Sequence, residues 1–196
     1  MNSSHYFTNT EYKRGIDDEI TVKNWLKSLG CTIREVNEAT NIQGIDCYVN
    51  GRASDIKSQK YKPYYKGFCF ESMVFSRRKN RWLNDGWFNT GKANIYYYLV
   101  EREPNLFKLY EIEKQRVISY GFDYIKELSH STKQQQKAST VDYINTISGY
   151  ILYENIDAVG RVIGETDKLS RFMENTKRAI TRPTPPTYRV LQDVPT

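Results

Sequence analysis

The stretch GIDCYVNGRASDIKSQK, residues 44–60, contains Asn-Gly between two short strand-like runs. Asn-Gly strongly favours a two-residue turn between antiparallel strands, because both positions of that turn need a positive φ. Such a turn pairs Val49 with Arg52, and counting outward from it places Asp46 opposite Asp55. Directly opposed residues of an antiparallel pair have Cβ atoms roughly 4.5–5.5 Å apart. The sequence therefore predicts a hairpin that brings two carboxylates together.

The two opposed carboxylates need a partner of opposite charge, because like charges repel across a sheet. A hard divalent cation such as Mg²⁺ binds carboxylate oxygens and keeps several waters. Strand residues alternate between faces, so Lys57 shares a face with Asp55. A lysine beside a metal can hold a water or a phosphate oxygen, which is the chemistry of phosphodiester hydrolysis. The alternative interpretation is a solvated ion cluster on a surface hairpin.

Helical and strand-like segments alternate through the rest of the chain. Residues 15–30 place Val22, Trp25, Leu26 and Leu29 at helical spacing, with Gly30 as a stop signal. The strand-like segments are CTIREV, GFCFESMVFS, ANIYYYLVE, LFKLYEI and GYILYENI. Residues 113–126 indicate helical turns. A last helix is indicated by the apolar face of Leu169, Phe172, Met173, Thr176 and Ile180, with Thr166 as its N-cap. This order predicts an α/β domain over residues 1–182 with a mixed central β-sheet flanked by helices. Residues 183–196 are proline-rich and indicate an extended tail.

Charge and cysteine usage restrict the partners and the compartment. The formal net charge of +6 favours a polyanionic partner such as nucleic acid. No apolar run reaches the length of a membrane span, and the first residues lack the apolar middle of a signal peptide. Cys31, Cys47 and Cys69 form no CxxC motif, which predicts free thiols and a cytoplasmic protein with no membrane partner. His5 and His130 are isolated, which argues against zinc.

Asp46 followed by Asp55-Ile56-Lys57 after a short hairpin resembles the PD-(D/E)xK nuclease superfamily, which includes restriction endonucleases, Holliday-junction resolvases and some homing endonucleases. The resemblance covers residues 12–60 and continues weakly to about residue 112. Ile45 replaces the proline of the family name, and the second acid is Asp55 where many members have glutamate. The resemblance implies a restriction-endonuclease-like fold, Mg²⁺ as cofactor with Mn²⁺ as an alternative, DNA as substrate, and a homodimer or higher homo-oligomer.

The resemblance also implies roles for particular side chains. Asp46 and Asp55 are expected to bind the metal, and Lys57 to orient the attacking water and stabilise charge on the phosphate. An acidic residue from the preceding helix commonly completes the metal site in this superfamily, and Glu19 matches that position. Asp18 lies at the other edge of the same helical stripe, so geometry leaves the choice between Glu19 and Asp18 open. Gln59 is expected to be a further active-site contact that holds water or substrate.

A basic segment rich in aromatic residues begins at the predicted site. Between Lys57 and Arg81 the sequence has eight lysines or arginines and one acid, Glu71. Lysine and arginine bind phosphates, and aromatic rings stack on unpaired bases. The predicted DNA-binding residues are Lys60, Lys62, Lys66, Arg77, Arg78, Lys79 and Arg81. The alternative is that these charges are a solvated face, with Phe68 and Phe70 in the core.

Two other functions are compatible with the same residues. The fold could serve as a non-catalytic nucleic-acid-binding or inhibitory module, or the enzyme could be a structure-specific resolvase or exonuclease. The acid pair, the Asp-x-Lys and the helix glutamate argue for catalysis. The sequence is rich in lysine, asparagine and tyrosine, a style that suits a phage or mobile-element protein of an AT-rich genome.

Overall fold

The computed structural model describes residues 9–62, 66–76, 79–121, 123–127 and 143–173, in which ten strands form two sheets. The helices are α1 (Asn9–Ser28), α2 (Glu38–Asn41), α3 (Trp87–Thr90), α4 (Lys114–Tyr120) and α5 (Ile156–Val159), with 3₁₀ helices at Tyr153–Asn155 and Leu169–Phe172. The strands are β1 (Ile33–Glu35), β2 (Cys47–Val49), β3 (Arg52–Gln59), β4 (Gly67–Ser76), β5 (Arg81–Leu83), β6 (Ile95–Glu103), β7 (Leu106–Glu113), β8 (Asp123–Glu127), β9 (Tyr143–Leu152) and β10 (Gly160–Thr166). The tail predicted at 183–196, together with Thr176 and Ile180 of the predicted last helix, lies outside the described residues.

The central sheet has six strands in the order β1-β2-β3-β6-β7-β10. Neighbouring strands run antiparallel except β3 and β6, which are parallel. The prediction of an α/β fold with a mixed central sheet is therefore confirmed. A parallel pair needs a long crossover, and residues 60–94 provide one that contains β4, β5 and α3.

A second, antiparallel sheet in the order β5-β4-β9-β8 covers one face of the central sheet. Phe68 and Phe70 of β4 are fully buried there, as predicted, and pack with Tyr96 and Tyr98 of β6. The other face is covered by α1 and the 3₁₀ helix at Leu169–Phe172. The prediction that helices flank the sheet is therefore confirmed for one face only. The other face is covered by the apolar side of β4, which belongs to the second sheet.

Strand β6 is buried on both faces, which makes it the centre of the fold. Ile95, Tyr97 and Leu99 point to the α1 side, whereas Tyr96 and Tyr98 point to the second sheet. A continuous apolar run is what a strand covered on both sides requires. Because β3 pairs with β6, its two faces meet the same two layers, α1 on one side and the second sheet on the other.

The long helix α1 packs through the apolar stripe predicted for it. Val22, Trp25 and Leu26 are buried, and the ring of Trp25 stacks on Phe172 at 4.8 Å between centroids. Leu29 was predicted on the same stripe, but it is 50% exposed because the helix ends at Ser28. Among the described residues, no helix combines the length and the apolar character needed to cross a membrane.

The C-terminal half departs in part from the predictions. Residues 113–126 were predicted as helical turns, which is confirmed for α4 up to Tyr120 and wrong from Asp123, where β8 begins. β10 was not predicted at all, since its sequence GRVIGET lacks a strong alternating pattern. Thr166 ends β10, where its Oγ1 accepts a hydrogen bond from the Lys168 N–H at 3.0 Å, and the described residues that follow form the 3₁₀ helix at Leu169–Phe172. Strand pairing with β7 and β9 overrides the weak local signals here.

The Asn-Gly turn has the predicted form, since φ is 49° at Asn50 and 82° at Gly51. We expect Gly51→Ala to lower the free energy of unfolding by roughly 1–2 kcal/mol, because a Cβ disfavours positive φ. No atom lies within 4 Å of the new Cβ, so the effect is backbone strain alone. Gly15→Ala in α1 is the matched control, and it is expected to stabilise by about 0.5–1 kcal/mol. Urea unfolding measures both, and equal effects would contradict this turn.

Candidate functional site

The β2–β3 hairpin has the predicted register up to the site itself. Val49 pairs with Arg52 and Cys47 with Ser54. One residue further, Asp46 leaves the regular ladder: its N–H donates to the carbonyl of Ser54 at 2.8 Å. Its carboxylate turns toward β3, where Oδ2 accepts the Ile56 N–H at 2.7 Å. Asp46 is therefore held by two backbone contacts to β3, in place of the simple cross-strand opposition predicted from counting.

Asp55 is the most unusual group of the site, a carboxyl that is only 4% exposed. The pKa of Asp55 is raised to about 7, and burial is the largest cause. The ammonium of Lys57 lowers this pKa, whereas the charge of Asp46 and a hydrogen bond between the two carboxyls raise it. Two carboxyls can share a hydrogen bond only when one carries a proton. Asp46 and Asp55, called the carboxylate pair below, thus lie in direct contact.

Lys57 shares a face with Asp55, as predicted. Its Nζ lies 2.8 Å from Oδ1 and 2.7 Å from Oδ2 of Asp55. The ammonium also lies 4.7 Å from the centroid of the Trp87 ring, a cation–π contact from α3. The neighbouring residues point the other way: Cys47 and Ile56 are buried against α1, which confirms the predicted alternation.

Glu19 lies near the carboxylate pair, but a lysine binds it. Lys23 Nζ is 2.6 Å from Glu19 Oε1 and 2.6 Å from Glu35 Oε2. Burial raises the pKa of Glu19, Lys23 lowers it, and the charge of Asp46 raises it again. Glu19 therefore interacts electrostatically with Asp46 while its carboxylate pairs with Lys23. In the part of the chain that the structure describes, no three His, Cys, Asp or Glu side chains are grouped closely enough to hold a metal.

Gln59 extends the row of Asp55 and Lys57 to the end of β3. Its Nε2 lies 3.5 Å from the carbonyl oxygen of Gly67, at the start of β4. That distance is at the long limit for a hydrogen bond. The structure thus brings Gln59 next to the crossover from β3 to β4, two residues beyond Lys57.

The basic segment that is continuous in sequence is divided in space. The exposed residues Lys60, Lys62 and Lys66 follow β3 and precede β4, close to the end of the row at Gln59. Lys79 and Arg81 are also exposed but lie beyond the other end of β4, up to about 30 Å away along a ten-residue strand. Arg77 and Arg78 lie outside the described residues. Of the described basic residues, the first group lies nearer to the row of Asp55, Lys57 and Gln59.

Several residues near the pair were missed in the sequence. Asn41 donates from Nδ2 to Asp46 Oδ1 at 3.0 Å. Tyr96 pairs with Asp55 across the parallel strands, and its hydroxyl is a buried atom without a hydrogen-bond partner among the described residues. Lys114 lies close enough for the charge of Asp55 to raise its pKa against the larger lowering by burial. No local pattern marks these residues, because the β3–β6 pairing that assembles them joins distant segments.

Comparison with known proteins assigns the chain to no family. No protein-family model, no curated protein and no solved structure matches it. The chemistry of the site is therefore inferred from its own carboxylate and ammonium groups. Asp46 and Asp55 offer hard oxygen ligands of the kind that Mg²⁺ binds, and Lys57 adds a cation beside them.

Proposed function

We propose that this protein is a Mg²⁺-dependent DNA endonuclease with a restriction-endonuclease-like fold. The observation that carries the proposal is a buried carboxyl, Asp55, in contact with Asp46 and with the ammonium of Lys57. The antiparallel β1–β2–β3 unit followed by the parallel β6, with α1 on one face, supports the fold assignment. Cleavage of both DNA strands takes two such sites, so the proposal includes a homodimer.

The carboxylate pair fits a divalent cation because it is unfavourable without one. Burying a carboxylate against a second one leaves Asp55 partly protonated at neutral pH, since its pKa is about 7. Two positive charges from an ion would allow both carboxyls to ionise. Asp46 and Asp55 would hold the ion, and Glu19 could support it only if its carboxylate left Lys23. Lys23 is buried, and it holds the partly exposed Glu19 carboxylate at 2.6 Å.

Separate residues of the chain have separate roles in the proposed reaction. When bound, the ion supplies a water of lowered pKa and polarises a phosphate oxygen. Lys57 donates hydrogen bonds to the attacking water or to a non-bridging phosphate oxygen, where charge increases in the transition state. The Trp87 ring beside its ammonium restricts the directions that Lys57 can take. Asn41 orients Asp46 by binding one of its oxygens, while the Ile56 N–H binds the other.

Asp46→Ala tests this proposal on two substrates, a supercoiled plasmid and a four-way junction. We expect wild type to cleave at least one of them in Mg²⁺ and neither in EDTA, and the variant to lose cleavage with its fold retained. Asp157→Ala, on the exposed side of α5, is the control and should cleave like wild type. Preference for the junction would identify a structure-specific resolvase. Full cleavage by a folded Asp46→Ala would overturn the assignment.

A second candidate is a non-catalytic nucleic-acid-binding module. The pairing of Glu19 with Lys23 favours it, because within the described residues no third acid then faces the carboxylate pair. Such a module would bind DNA in a salt-dependent way and show no Mg²⁺-dependent cleavage. The plasmid and junction assays therefore separate the two functions.

A further inference from the structure

A second lysine, Lys114, lies close enough to the carboxylate pair for the charge of Asp55 to act on its ammonium. Its backbone N–H donates to the carbonyl of Asn94 at 2.9 Å, and the N–H of Asn94 donates to the carbonyl of Ala53 at 2.9 Å. These bonds place Lys114 level with Ala53, two residues before Asp55 on β3. Lys57 comes two residues after Asp55. Lys114 therefore starts two strands away from β3, level with a residue before Asp55, whereas Lys57 follows Asp55 on β3 itself.

The Lys114 side chain reaches back toward the site. Its Nζ donates to the carbonyl oxygen of Gly91 at 2.6 Å and lies 5.4 Å from the centroid of the Phe88 ring. Gly91 packs against the segment that leads into Asp46, since a Cβ added to Gly44 would lie 3.0 Å from the Gly91 Cα. The ammonium is thus anchored where the loop after α3 meets the loop before Asp46.

The charge of Lys114 is only partly compensated by the protein. An ammonium has three donors, and within the described residues its recorded acceptor is the Gly91 carbonyl alone. Among the described ion pairs, none includes Lys114. Burial lowers its pKa, and the nearby charge of Asp55 opposes that lowering. A half-buried cation with open donors beside an acidic site is suited to an anionic ligand.

We propose that Lys114 is a second substrate-contacting cation, which binds a phosphate of the DNA backbone near the carboxylate pair. This inference rests on the proposed function and names a contact to its substrate. Two lysines near the acids would hold the backbone at the pair. A purely structural role would instead consist of the hydrogen bond to Gly91 and the contact with Phe88.

Lys114→Gln separates the two roles, because glutamine can still donate to the Gly91 carbonyl but carries no charge. The affinity for a fluorescent DNA duplex is measured in EDTA over a range of salt concentrations. We expect the slope of log K against log salt to fall by about 0.9, the value for one phosphate contact. Lys114→Arg should keep the wild-type slope. Lys27→Gln, an equal charge loss at the exposed end of α1, should change it little.

The result also distinguishes this inference from the proposed function. An unchanged slope for a folded Lys114→Gln, or a change equal to that of Lys27→Gln, overturns the phosphate contact even if wild type cleaves DNA. The expected slope change in a protein that never cleaves DNA supports the contact and overturns the nuclease. If wild type binds no duplex at all, the contact is overturned. Thermal unfolding confirms that each variant is folded, and Lys114→Met provides a second neutral variant that retains packing on Phe88.

Discussion

In the absence of metal at pH 8, Asp55→Asn is expected to be more stable than wild type by on the order of 4 kcal/mol. Asp55 has a pKa of about 7 in the folded protein, against an ordinary value of 3.8 for an aspartate side chain. Wild type must therefore ionise a carboxyl that burial and Asp46 disfavour, whereas asparagine resembles the protonated form and stays neutral. The stabilising substitution would thus lie at the centre of the proposed active site.

The sign of this effect follows from which state binds the proton more tightly. Because the folded pKa is raised, the stability contributed by Asp55 is complete below about pH 4 and is lost as the pH rises through about 7. The advantage of Asp55→Asn should grow from about 1 kcal/mol at pH 4.5 to about 4 kcal/mol at pH 8, and then stay constant. Urea unfolding in EDTA at several pH values measures it.

Asp157→Asn is the matched control for this series, because Asp157 is exposed on α5. It removes the same charge outside the site and is not expected to reproduce the stabilisation of Asp55→Asn. Mg²⁺ should stabilise wild type and leave Asp55→Asn unaffected, since a ligand stabilises only the state that binds it. A constant difference between Asp55→Asn and wild type from pH 4.5 to 8 would show that Asp55 titrates as an ordinary carboxyl.

Lys57→Met is expected to lower kcat for Mg²⁺-dependent cleavage by about 10²–10³-fold, the usual effect of removing one donor to a developing negative charge. Methionine keeps the unbranched stem beside Trp87 but removes the ammonium that lies 2.7 Å from Asp55 Oδ2. The pKa of Asp55 should rise further, because Lys57 lowers it in wild type. The pH at which cleavage becomes half-maximal should therefore increase.

Single-turnover cleavage over a pH series measures both effects of Lys57→Met. Lys168→Met removes the same charge from an exposed position after β10 and should retain the wild-type rate and pH profile. If kcat and the pH profile of Lys57→Met match those of wild type, Lys57 does not contact the reacting phosphate.

The hairpin and its row of side chains could be predicted because local rules determine them. Asn50-Gly51 specifies the turn, and the two-residue period of a strand then assigns Asp55 and Lys57 to one face and Ile56 to the other. The departure of Asp46 from the ladder could not be foreseen, since it depends on the bond between its own carboxylate and the Ile56 N–H.

The surroundings of the site depend on contacts between distant segments, for which the sequence has no local signal. The parallel pairing of β3 with β6 places Tyr96 beside Asp55, and the position of α4 after β7 brings in Lys114. Glu19 and Lys23 are four residues apart on α1, so their pairing is local, but the second partner of Lys23, Glu35, comes from β1. Burial of charged groups is thus the feature that sequence patterns represented least well.

The most direct test of the nuclease account is plasmid cleavage by Asp55→Asn beside wild type, in Mg²⁺ and in EDTA. This variant is expected to be folded and more stable than wild type, so lost activity cannot be attributed to unfolding. The account predicts Mg²⁺-dependent cleavage by wild type, none in EDTA, and none by Asp55→Asn. Equal cleavage by both proteins, or cleavage that persists in EDTA, would contradict a metal-dependent site at Asp46 and Asp55.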